Sequence, residues 1–168
     1  AGQLAAAAHL LVIASGADRA AGRELVLKVE EASWLPSVYR DLETFLHGHL
    51  PATGSDSGLV LVMADRAGRT ERLARAKQAL AAAQVVGIRS AAILAADLDA
   101  ELQAELTPAG RLLVREYPSL PAPVAALFGT ATPLQLLTER LARARGTNPD
   151  LIRRDDAVYL RATEAAGG

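Results

Sequence analysis

Residues 58–63, GLVLVM, are apolar without a break and are followed by the turn-forming stretch Asp65-Arg66-Ala67-Gly68. A strand with one wet face alternates apolar and polar side chains. One that is apolar throughout has to be covered on both faces, as a parallel strand between two helical layers is. Strong helix formers then run from about residue 70 to 83. The same order opens the chain, where LLVIA at residues 10–14 leads through Ser15-Gly16 into helical spacing over residues 18–33. Further strands are expected at residues 84–88 (QVVGI) and 111–115 (RLLVR), and a long helix over residues 122–145, bent or interrupted near Pro133. Between them, Pro36 suits the first turn of a helix over residues 36–46, which Gly48 can end in a left-handed cap. Alternation of strand and helix predicts an α/β fold, a mostly parallel sheet with helices on both faces. Ligands of such sheets bind beyond the carboxyl ends of the strands, which directs attention to the turns at Ser15-Gly16 and at Asp65 to Gly68.

Composition narrows the function classes. The 168 residues carry 18 basic and 19 acidic side chains, so there is no basic footprint for nucleic acid. No apolar stretch approaches the roughly 20 residues of a membrane span. Zero cysteines remove thiol catalysis, disulfides and Cys-ligated zinc, and fit a reducing cytoplasm. His47 and His49 are close, but without a third ligand they predict no metal site. Only Lys28 and Lys77 offer a lysine amine. The chain opens on AGQLAAAAHLL without a methionine or the basic start of a signal peptide, and it reads as a piece of a larger protein. Residues 1–145 are expected to form one domain and the polar residues 146–168 a C-terminal tail.

At 100° per residue Glu24, Lys28 and Glu31 fall within an arc of roughly 60° on the first long helix, beside an apolar face of Leu25, Val29 and Ala32. Such a stripe is either a surface ion ladder, worth about 0.2–0.5 kcal/mol per pair, or the polar lining of a cavity. His47 taken alone is a helix-end side chain serving the last carbonyls.

The run Glu24-Leu25-Val26-Leu27-Lys28-Val29-Glu30-Glu31-Ala32-Ser33, followed by Phe45-Leu46-His47-Gly48, resembles the E-x-A-L-K-x-K-E-x-S … E-x-x-H-G-P signature of sugar isomerase (SIS) domains. Pro133-Leu134-Gln135-Leu136-Leu137 and Arg145-Gly146-Thr147-Asn148-Pro149-Asp150 resemble the PLQLLAYxxAxxRGxNPD ending of the same family. The likeness is strongest to the second SIS domain in the isomerase half of the glutamine–fructose-6-phosphate aminotransferases. It implies a flavodoxin-like three-layer α/β/α sandwich, a preceding SIS domain in a longer chain, a homodimer, a hexose or amino-hexose 6-phosphate as ligand, and no cofactor. By that resemblance Glu31 is the base that moves a proton between C1 and C2, Lys28 steadies the enediolate oxygens, and His47 opens the sugar ring from the neighbouring subunit.

Departures from the family pattern shape the rest of the expectation. The phosphate loop S-x-S-G-x-T of a first SIS domain corresponds here to Asp65-Arg66-Ala67-Gly68-Arg69-Thr70, with a carboxylate and a methyl where serines stand. Ser15, Gly16, Glu24, Arg66, Gly68, Arg69 and Thr70 are the candidate ligand-binding residues, the alternative for the arginines being an ordinary exposed turn. The family's aminotransferases carry a Schiff-base lysine in the tail, whereas no lysine follows Lys77 and Arg153 and Arg154 stay protonated. The expected function is therefore aldose–ketose isomerisation, or deamination of an amino-sugar or fructosamine phosphate, through an enediol-type intermediate. The alternative is a non-catalytic SIS domain that senses a sugar phosphate or mediates dimerisation.

Overall fold

A computed structural model describes residues 2–167. Five strands, β1 (His9–Ala14), β2 (Ser37–Asp41), β3 (Ser57–Met63), β4 (Arg89–Ala95) and β5 (Arg111–Val114), form one sheet in the order β2-β1-β3-β4-β5. Every neighbouring pair is parallel. Among the described residues six α-helices accompany them: α1 (Gly2–Ala5), α2 (Arg19–Ser33), α3 (Leu42–Thr44), α4 (Arg69–Val86), α5 (Ala122–Arg145) and α6 (Ala157–Ala165).

The period-two geometry of the strands sorts their side chains into two cores. Leu10, Val12, Val60, Val62 and Ile93 face Leu25 and Val29 of α2 and Leu134, Leu137 and Leu141 of α5. Leu11, Ile13, Leu59, Leu61, Met63 and Leu94 face Leu73, Ala76 and Leu80 of α4, together with Leu42 and Phe45. The result is the expected three-layer α/β/α sandwich, α2 and α5 on one side and α4 on the other. All seven residues of β3 are buried, which is why its sequence has no polar alternation. Among the described residues no helix is long and apolar enough to cross a membrane.

Several local expectations are corrected. Residues 37–41 form edge strand β2 rather than helix. Pro36 lacks an N–H but offers its carbonyl to the Leu10 N–H at 2.8 Å, and Tyr39 donates its hydroxyl to the Ala14 carbonyl at 3.0 Å. Helix starts only at Leu42, where the Asp41 carboxylate caps the Glu43 N–H at 3.1 Å. Gly48 lies inside a π-helical turn, Phe45–His49, and is not left-handed. The expected strand at residues 84–88 is the end of α4: Val85 is 90% exposed and Gly87, at φ +87°, closes the helix. The strand lies just beyond, at Arg89–Ala95. Helix α5 carries through Pro133 as one element. The tail beyond Gly146 is largely helical, and α6 buries no residue.

Candidate functional site

The α2 stripe divides as its periodicity requires. Leu25 and Val29 are wholly buried, Leu27 is exposed, and Lys28 and Glu31 stand at the boundary, joined Nζ to Oε2 at 2.7 Å. The hydrogen bond that Lys28 donates to Glu31, with the charges of Glu31 and Glu24, holds the Lys28 ammonium above its ordinary range against an opposing effect of desolvation. Both side chains line a cleft of about 250 Å³ between α2, α5 and the tail, with Gln135, Thr138 and Glu139 opposite and Pro149 and Ile152 closing one end. Glu31 also borders a second, more open cleft of about 370 Å³ formed by Trp34, Pro36, Arg153 and Tyr159. Glu31 and Ile152 belong to both.

The tail is held against this region by two kinds of contact. Thr147 donates its hydroxyl to the Ala32 carbonyl at 2.7 Å, and Arg145 donates to the carbonyls of Ser33 at 2.8 Å and Ala5 at 2.9 Å, so the carbonyls of Ala32 and Ser33 that end α2 find donors at the last residue of α5 and just beyond it. Arg153 stacks between the rings of Trp34 and Tyr159, 4.7 and 3.9 Å from their centroids.

His47 is elsewhere. It follows Phe45, which packs in the α4 layer, so within one chain the sheet separates it from the α2 layer that carries Glu31. The His47 ring is exposed and its Nε2 lies 3.3 Å from Glu43 Oε1.

The two turns beyond the carboxyl ends of β1 and β3 meet at the point where strand order reverses, the crevice where doubly wound sheets bind ligands. Left-handed Gly16 and Gly68, at φ +59° and +58°, let these turns close together. The crevice is filled from within. Asp18, 1% exposed, accepts the backbone N–H groups of Ala64 at 3.1 Å and Asp65 at 3.0 Å, and its other oxygen takes the Arg72 guanidinium. Arg72 also donates to the Ser15 hydroxyl at 3.0 Å and to the carbonyls of Ser15 and Asp65 at 2.9 Å. Burial pushes the Asp18 carboxyl above its ordinary value, opposed by Arg72 and the two backbone donors. Arg66 and Arg69 turn to Asp97, at 2.9 and 2.6 Å, and Arg69 also reaches Glu101. At Asp97 desolvation acts upward but is outweighed by Arg66 and Arg69, so that carboxyl lies below its ordinary value. Thr70, Gly68 and Glu24 are exposed.

Of the residues singled out from sequence, Lys28 and Glu31 therefore share one cleft. Ser15, Gly16, Arg66, Gly68, Arg69 and Thr70 gather at the carboxyl edge, and His47 lies on the far layer. Asp18 and Arg72 were missed: neither stands in a motif, and 54 positions separate them. Among the described residues no group of His, Cys, Asp and Glu could hold a metal ion.

No family model matches the sequence, and no curated protein matches it either. Solved structures do match in fold. The C-terminal domain of glucosamine-fructose-6-phosphate aminotransferase from Francisella tularensis superposes with a TM-score of 0.70 at 19% identity, covering 88% of this chain and 39% of that one. Tagatose-6-phosphate ketose/aldose isomerase from Escherichia coli gives 0.65 at 18% identity, over 90% of this chain and 40% of the other. The Vibrio vulnificus NanR protein, complexed with ManNAc-6P, gives 0.65 at 15% identity, over 95% and 58%. The chain thus spans about two fifths of the length of the first two. With five parallel strands in this order, its helices divided between two faces and these structures superposing on nearly all of it, the chain has the fold of the sugar isomerase (SIS) domains.

Proposed function

We propose that the chain is a SIS domain supplying Glu31 and Lys28 to a sugar-phosphate site that a second SIS domain and a second copy of the chain complete, in an isomerase or an amino-sugar or fructosamine phosphate deaminase. The observation that carries this reading is the Lys28–Glu31 pair, 2.7 Å apart and opening into a cleft rather than lying on a bare helix face. A carboxylate and an ammonium held one helical turn apart are the minimum that enediol chemistry needs. Glu31 removes the proton from C2 of the open-chain aldose phosphate, that electron pair forms the C1–C2 double bond and the C1 carbonyl pair moves onto O1; when a proton has passed from O2 to O1, the C2 carbonyl forms, the double bond opens towards C1, and the same carboxylate returns its proton there. The Lys28 ammonium, kept charged by Glu31 and Glu24, stabilises negative charge developing on the sugar oxygens.

His47 acts from the other copy. Phe45, two residues before the exposed His47, packs in the core on the α4 side, whereas Glu31 is carried by α2 on the other side, and this supports ring opening by the His47 of a second copy. The reaction needs no metal or cofactor. Residues 146–168 contain no lysine, so this segment offers no amine for a Schiff base. A cytoplasmic location belongs to the same proposal, and a chain without cysteine fits it. Residues 1–145 are the domain and 146–168 the tail that borders its cleft.

A second reading, a sensing or dimerising SIS domain without catalysis, is favoured by one observation: the carboxyl-edge turn is filled by Asp18 and Arg72. NanR complexed with ManNAc-6P has this fold. Thermal-shift measurements with fructose-6-phosphate and glucosamine-6-phosphate test the composite site, since a ligand selective for the native state raises its stability. The 168-residue chain alone is expected to show no shift, and the assembly containing a second SIS domain to show one. A shift in the isolated chain, or in neither, would contradict the composite site.

A further inference from the structure

The turn after β3 has the parts of an anion site, and the chain supplies the anion. Two successive backbone N–H groups, of Ala64 and Asp65, converge on one acceptor, and the Arg72 guanidinium reaches it from the first turn of α4. Successive N–H groups with a cation beside them are how turns hold phosphate. Here the acceptor is Asp18, at the start of α2 and 1% exposed. A further donor of the turn, the Ala67 N–H, is taken by Asp65 Oδ1 at 3.1 Å.

The charges agree with the geometry. Asp18 and Asp65 are both buried beside a single Arg72, so the turn carries one excess negative charge. Arg66 and Arg69, the nearest other cations of the turn, are committed to Asp97 and Glu101. An incoming phosphate would meet like charge, and it would find the N–H groups of Ala64, Asp65 and Ala67 already taken. It would also have to displace a tethered carboxylate, whose effective concentration is on the order of millimolar or above.

We infer that Asp18 stands in the place of a ligand phosphate and is the residue that bars phosphate from this turn, so that removing its carboxylate converts the turn into a site for inorganic phosphate or a phosphomonoester. The inference stands on the turn and does not rest on the role given to Glu31. Its consequence is that the phosphate of any ligand of this domain is held outside the turn.

The test uses the full 168-residue chain, wild type and Asp18→Gly, with inorganic phosphate compared against chloride of matched ionic strength. Melting temperature and the Ala64 and Asp65 amide resonances are the readouts. The wild type is expected to melt equally in both salts, with those two amides unmoved by phosphate. Asp18→Gly is expected to gain a saturable rise of several degrees in phosphate alone, with both amides shifting, and to lose the gain when Arg72→Gln is added. A saturable, phosphate-specific movement of Ala64 and Asp65 in the wild type overturns the inference, and so does a folded Asp18→Gly chain indifferent to phosphate. Asp18→Ser, which leaves a smaller vacancy, is the second variant. If either variant unfolds in chloride, phosphate is expected to restore its fold, and failure of both to refold in phosphate also overturns it.

Discussion

Replacing Arg72 by methionine keeps most of the apolar stem and deletes the guanidinium. Asp18 and Asp65, 1% and 2% exposed, are then left without a cation, and the carbonyls of Ser15 and Asp65 lose a donor. Removing one partner of a buried ion pair costs about 3–5 kcal/mol, because the other charge stays desolvated. Asp18 keeps the N–H groups of Ala64 and Asp65, which puts the expected loss at the lower end, about 3 kcal/mol. For a chain of this size that lowers the melting temperature by roughly 6–12 °C. The pH dependence follows from the sign of the Asp18 shift. Burial already raises its folded pKa above the ordinary 3.8, and loss of Arg72 removes a main opposing influence, raising it further. A carboxyl with a raised folded pKa adds stability that is complete below the unfolded value and is lost as pH rises through the folded one. The deficit of Arg72→Met relative to wild type is therefore largest at neutral pH and shrinks on acidification towards about pH 4. Urea unfolding of both proteins over this range measures it, and Asp18→Asn added to Arg72→Met should recover part of the neutral-pH loss. A deficit below about 1 kcal/mol at neutral pH, or one that does not shrink on acidification, refutes the reasoning.

Two further outcomes are expected. Gly129→Ala puts a methyl 2.5 Å from Val114 Cγ1 and 3.2 Å from the Tyr117 ring, so the overpacking of about 1–3 kcal/mol outweighs the roughly 1 kcal/mol gained in helix propensity; Gly48→Ala, with nothing within 4 Å, should be neutral or stabilising, and comparative thermal melts distinguish the two. Trp34 is the single tryptophan, so Arg153→Ala, which removes the cation stacked on it, should shift its fluorescence to the red and cost about 0.5–1 kcal/mol; unchanged emission would show that the stack does not persist in solution.

What was legible in the sequence was what local pattern determines. Strands β1 and β3 announced themselves because burial on both faces demands unbroken apolar runs. The Lys28–Glu31 pair was visible because both residues belong to one helix, a single turn apart. Strand β2 was hidden: every residue of this edge strand is half-buried, so SVYRD carries no alternation, and Pro36 fits a helix start as well as a strand start. Strand β4 was expected a few residues too early: Val85, Val86 and Ile88 look like a short apolar strand but sit at the end of α4 and just past its left-handed Gly87 cap, whereas the alanines of SAAILA carry little strand signal. The Asp18–Arg72 lock could not be read at all. Its partners meet because β1 and β3 are neighbours in the sheet, a tertiary fact that no local spacing encodes.

The proton transfer assigned to Glu31 is tested most directly by Glu31→Gln in the assembled protein, measuring exchange of the C1 and C2 protons of a bound hexose or amino-hexose 6-phosphate with deuterated water by proton NMR. Glutamine keeps the size and the contact with Lys28 but cannot take a proton. Binding is expected to persist while exchange collapses by a factor of roughly 10² to 10⁴, the contribution of a positioned acid–base group. Exchange at the wild-type rate in the Glu31→Gln protein would contradict it.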